Sequence, residues 1–142
     1  MRETLFSEDF MVLDYLHDLN ILISNWYGHA DYETCIIGQH RTKEAIKRNQ
    51  VGALLSDMSK LQSTAKEVQN YLLEEQNTQL ASANLRFHAI VLPTQWAGKT
   101  PEKTYASSAN DGKRVEIAFF ESARNAGAWL RMKAETLNTI IG

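Results

Sequence analysis

The sequence predicts an α+β fold in which an N-terminal antiparallel helical hairpin, containing a long heptad-patterned helix, precedes a small antiparallel three-stranded sheet and a C-terminal helix. Three observations predict it. Apolar residues recur at helical spacing through residues 11–26 and in heptads through 51–72. Branched and aromatic residues then cluster at 86–93 and 113–120, and a last helical stripe ends the sequence.

Val12, Leu16, Leu19, Ile23 and Trp26 step by 4, 3, 4 and 3, which places them on one face of a helix. Ser7 starts that helix, because its side chain can accept from a free backbone N–H while Glu8 and Asp9 oppose the helix dipole. Met11, Tyr15 and Leu22 widen the stripe, so the helix is expected to be covered on two sides. Gly28 ends it, and residues 28–41 form a connector around the short apolar piece at 35–37.

From about Thr42 the pattern turns helical again. Val51, Leu54, Met58, Leu61, Ala65, Val68 and Leu72 alternate steps of 3 and 4, predicting a helix over roughly residues 42–79, about 55 Å long, in which Gly52 marks a break or bend. The connector lets this helix fold back on the first. Because the second helix outruns the first, part of its coiled-coil-like stripe needs another partner, and those seven residues are the expected interface of a homodimer.

RFHAIVLP, residues 86–93, reads as a strand stopped by Pro93, and 94–103 as a loop. Residues 104–109 and 113–120 form a hairpin around Asn110, Asp111 and Gly112, where the glycine supplies the backbone freedom of a tight turn. Ala126, Trp129, Leu130, Ala134, Leu137 and Ile141 share one face of a closing helix from about Ser122.

The chain has 142 residues, the size of one domain, read as 1–142; its 44% hydrophobic and 23% charged content excludes disordered and fibrous classes. The N-terminus carries acids within its apolar stretch and does not read as a signal peptide, and no apolar run approaches the roughly 18 residues of a membrane span. Cys35 is the single cysteine, so an intrachain disulfide is impossible and a cytoplasmic location is expected. Residues 1–40 carry seven acids against Arg2, whereas the remainder is net positive, an asymmetry that can steer a partner or favour self-association.

Chemistry-bearing motifs are sparse. WAGKT at 96–100 ends like a phosphate-binding loop, but the glycine required five positions before Gly98 is Pro93, and Pro101 blocks the following helix. His29, Asp31, Glu33, Cys35 and His40 could ligate a metal, and the first four would share one side of an extended chain; no recognised zinc spacing is present, and no metal site is assigned. Cys35 with His40 or His88 has the residue types of a nucleophile and base but no sign of proximity; His17 reads as packed or solvent-facing and His88 as structural. Arg41, Lys43, Lys47 and Arg48 are the candidates for contact with nucleic acid, against an acidic overall balance with a pI of about 6.1. Trp96, Lys99, Tyr105 and Trp129 are the candidates for a ligand pocket between sheet and helices.

The leading expectation is a small non-catalytic protein–protein interaction, adaptor or inhibitor-type protein that self-associates through its heptad helices and contacts a further macromolecule. The alternatives are a small-ligand-binding domain and a nucleic-acid-binding accessory protein. No cofactor and no membrane association are expected, and enzymatic activity ranks last.

Overall fold

The computed structural model describes residues 1–64, 80, 83, 85–93, 103–107 and 114–141. The described elements are β1 (Arg2–Ser7), β2 (Met11–Leu16), β3 (Ile21–Ala30), α1 (Tyr32–Asn49), β4 (Ala53–Thr64), β5 (Phe87–Val91), β6 (Lys103–Ser107), β7 (Arg114–Phe120) and a C-terminal helix, α2 (Ala123–Ile141). The strands form one mixed sheet of seven in the order β1-β2-β3-β4-β5-β7-β6. β3, β4, β5 and β7 run parallel, flanked by antiparallel β1 and β2 on one side and by β6 on the other.

The architecture is therefore α/β, and the expected N-terminal helical hairpin and three-stranded sheet are overturned. Residues 7–26 are not a helix. Glu8 and Met11 exchange backbone hydrogen bonds of 2.9 and 3.3 Å across the tight turn between β1 and β2, and Asn20, at φ 54°, closes the turn into β3. The wide apolar stripe is produced by strands buried on both faces. Met11, Leu13, Tyr15, Leu22 and Trp26 enter the core beneath α1, whereas Leu16, Leu19, Ile21 and Ile23 belong to a second core under α2.

The coiled-coil-like rod is overturned as well. Val51 precedes β4, and Leu54, Met58 and Leu61 lie within it, all buried on the α1 side; Ala65, Val68 and Leu72 fall outside the described residues. A strand can carry a heptad-like spacing because of a bulge. Asn25 pairs with Asp57, yet Tyr27 pairs with Lys60, so β4 holds one extra residue there. Leu54 and Met58 share a face because they are four apart, and the extra residue returns Leu61 to that face after a step of three.

α1 makes the crossover that joins parallel β3 to β4. Its start lies inside the expected connector. Asp31 Oδ1 accepts from the Thr34 backbone N–H at 2.8 Å, and Thr34 Oγ1 accepts from the Asp31 N–H at 3.2 Å. Gln50, at φ 52°, ends the helix in the left-handed conformation, two residues before the glycine expected to bend it. Its inner face buries Cys35, Ala45 and Ile46 over the sheet, and Leu80, Ala83 and Leu85 join the same core.

α2 covers the opposite face over β4, β5 and β7, burying Ala126, Leu130 and Ala134. Ser122 Oγ accepts from the Asn125 N–H at 3.2 Å and caps this helix, which lies where the sequence pattern places it, as does β5. β6 and β7 pair antiparallel as the expected hairpin requires; its turn, 110–112, lies outside the described residues. Outer strand β1 is held to β2 by buried Asp14, whose Oδ2 accepts from Arg2 Nε at 3.0 Å and Nη2 at 2.8 Å while Oδ1 accepts from Thr4 Oγ1 at 2.6 Å.

Gly38 sets the distance of α1 from the sheet. A Cβ there would lie 2.5 Å from Trp26 Cη2 and 3.1 Å from Met11 Sδ, both on buried side chains. Gly38→Ala is expected to destabilise the protein by about 1–3 kcal/mol, measured by urea denaturation, despite the better helix propensity of alanine.

Candidate functional site

Two features combine residues in ways that bear on function: a polar chain inside the sheet, and an apolar surface on α1. The polar chain crosses three parallel strands. Ser24 in β3 stands opposite Ser56 in β4, and His88 lies beside them in β5. The Trp26 indole can only donate, and its N–H points to Ser24 Oγ at 3.3 Å; Ser24 Oγ donates to Ser56 Oγ at 3.2 Å. Ser56 Oγ and His88 Nε2 are 2.7 Å apart. With Ser24 donating to Ser56, the Ser56 hydroxyl is left to donate to Nε2, which fits an imidazole protonated on Nδ1.

A serine 2.7 Å from a histidine has the spacing of a nucleophile and its base. The environment removes that role. Ser56 is 1% exposed and His88 0%, and burial pushes the imidazole pKa down to about 3, far too low for an efficient base at neutral pH. The chain satisfies polar groups inside the core and ties β3, β4 and β5 together.

The connector residues considered for metal binding are separated by the helix. Cys35 turns into the core, whereas Glu33 and His40 face outward and Asp31 caps the first turn. Among the described residues no group of three potential ligands could hold a metal ion. Burial, with a smaller contribution from the Asp31 charge, pushes the Cys35 thiol up to about 12.

The basic candidates do not form one patch. Arg41 and Arg48 lie on one flank of α1, Lys43 and Lys47 on the other, with buried Thr42, Ala45 and Ile46 between them on the inner side and Glu44 on the outer. Arg41 also stacks over the Phe6 ring at 5.4 Å and approaches Glu44 at 3.8 Å.

Of the ligand candidates, Trp129 packs in the α2 core against Phe87 and Phe120, with Lys133 Nζ 5.7 Å from its ring. Tyr105 stands opposite Glu116 in the β6–β7 register. Trp96 and Lys99 lie outside the described residues, so no pocket is assembled from the four.

The apolar surface was missed in the sequence. Tyr32, Ile36 and Ile37 on the first two turns of α1 are 46%, 41% and 47% exposed. Tyr32 and Ile36, four apart, are neighbours on the helix surface, and Ile37 lies across Glu33 and His40 from them, so three large apolar side chains are exposed within two turns. The signal lay in the apolar piece at 35–37, of which the structure buries only Cys35.

No family model and no curated protein match this chain. A solved structure from Shewanella loihica PV-4, an uncharacterized protein of the DUF3478 family with a SpoIIAA-like fold, is similar at 17% identity over 92% of each chain, with a TM-score of 0.41. Among the described residues no helix is long and apolar enough to cross a membrane.

Three outcomes are expected from the buried groups. Ser56→Ala leaves the Ser24 hydroxyl and His88 Nε2 without their mutual partner and costs about 1–3 kcal/mol in denaturant titration. His88 has a folded pKa of about 3 against an ordinary 6.5, so its contribution is complete above pH 6.5 and is lost as the pH falls towards 3. His88→Gln therefore shows a shallower decline of melting temperature between about pH 6.5 and 4 than the parent protein, whatever its baseline stability. Cys35 is expected to resist an aromatic disulfide reagent at neutral pH until denaturant is added; fast labelling of the native protein would contradict its burial.

Proposed function

We propose that this chain is a non-catalytic protein-binding module of the cytoplasm, and that the outer side of α1 is its contact surface. The observation that carries this reading is the exposure of Tyr32, Ile36 and Ile37 within the first two turns of one helix. Ile36 and Ile37 keep 41% and 47% of their surface in water, so a partner that covers them recovers about 1 kcal/mol each. The sealed Ser56–His88 pair argues against a catalytic reading, and the division of the basic residues between two flanks argues against nucleic acid. The cytoplasmic assignment rests on the single, buried, high-pKa thiol.

A photoreactive amino acid placed at position 37 in the full chain, in cells that express it, is expected to give one discrete protein adduct. The same probe at exposed Thr136 on α2 gives none. Adduct formation at neither site, or equally at both, would overturn the reading. Ile36→Glu with Ile37→Glu is expected to remove interaction while changing stability by no more than about 0.5 kcal/mol, because neither side chain holds the core.

A further inference from the structure

We infer that the partner seated on this surface is a second copy of the same chain, docked as an antiparallel α1–α1 pair about a two-fold axis beside Ile36 and Ile37; the inference rests on the protein-binding reading above. The residues along the outer side of α1 are, in order, Glu33, Ile36, Ile37, His40, Glu44 and Lys47. Charge is graded along this helix. Asp31 and Glu33 stand at its start, and Arg41, Lys43, Lys47 and Arg48 crowd its second half.

That gradient selects the orientation. A parallel pair would set Glu33 against the partner's Glu33 and Lys47 against the partner's Lys47, with helix dipoles aligned; an antiparallel pair reverses both. The isoleucines select the register. With the axis between Ile36 and Ile37, each isoleucine meets its own copy in the partner and Glu33 comes opposite the partner's His40, a carboxylate–imidazole pair on each side. Sliding one copy by a turn brings Glu33 to the partner's Glu44, a like-charge contact. Sliding further, to bring Glu33 to the partner's Lys47, sets the two isoleucines against the partner's Glu44 and Lys43.

In the single chain, His40 Nε2 approaches Glu44 only to 3.8 Å, beyond hydrogen-bonding distance, so it can turn to a partner without breaking a close pair. The interface is small. One 18-residue helix spans about 27 Å, which places the pair among weak, concentration-dependent dimers with a dissociation constant of about micromolar order.

Sedimentation equilibrium of the purified full chain from about 1 to 500 μM tests this directly. The parent protein is expected to move from monomer to dimer mass within that range, and Ile36→Glu with Ile37→Glu to remain monomeric. Glu33→Arg and His40→Glu are each expected to weaken the dimer by about tenfold, and the two together to restore it, because Arg at 33 then faces Glu at the partner's 40. Residues 33 and 40 are two turns apart in their own helix, so the restoration cannot come from within one chain; melting curves confirm that each variant is folded.

Monomer mass throughout the range, or a double variant as weak as the single ones, would overturn the pairing. A monomeric protein that still forms an adduct with a different protein through position 37 overturns self-pairing and leaves the binding reading standing. A monomer with no adduct removes both.

Discussion

The parallel pairing of β3 with β4 is the constraint on which the rest of the molecule depends. These two long strands lie between the antiparallel β1–β2 unit and the β5–β7–β6 half, and each must be covered on both faces. Parallel neighbours cannot be joined by a tight turn, so the pairing itself requires a crossover, and α1 is that crossover. On the α1 side the strands carry Leu22, Trp26, Leu54 and Met58; on the α2 side they carry Ile21, Ile23, Ala53 and Leu55. The buried serines at the centre of this pairing are tolerated because each hydroxyl has a partner, and the chain of donors ends on an imidazole held neutral by its surroundings.

The position of α1 follows from three local contacts. Asp31 and Thr34 cap its first turn, and the Thr34 N–H holds the Asp31 carboxyl below its ordinary pKa. Gly38 lets the helix backbone approach the Trp26 ring, and Ile46 closes the far end of the inner face. Once the inner face is fixed in this way, Ile36 and Ile37 have no route into the core, because both lie outside the arc occupied by Cys35, Gly38, Gln39 and Thr42. Their exposure is a consequence of how the helix is seated. That links the buried half of the structure to the binding surface.

Much of the second half of the fold was legible. The alternation in β7 and the spacing of Ala126, Leu130 and Ala134 each report a period, and the apolar run that ends in Ile90 and Val91 before Pro93 marks β5. The first half was not legible, for a physical reason. A strand buried on both faces loses its alternation, and what remains of its apolar pattern can satisfy a helical template by coincidence, as Val12, Leu16, Leu19 and Ile23 do. The bulge in β4 added a second coincidence by turning steps of two into 4 and 3. Of the heptad stripe, Val51, Leu54, Met58 and Leu61 are buried, but in or beside a strand rather than on a helix. The surface now proposed for binding was passed over because its cap pairs Asp31 with a threonine where a glutamate or glutamine is the usual signal.

The account depends most on residues 53–64 being a strand beside β3. Nuclear Overhauser spectra of the labelled full chain measure this without reference to stability or partners. Amide-to-α-proton cross-peaks are expected between residues 21–25 and 53–57 in the observed parallel register, with Ser24 opposite Ser56. A continuous series of helical contacts between residues three apart along 53–64, with those cross-strand peaks absent, would contradict it.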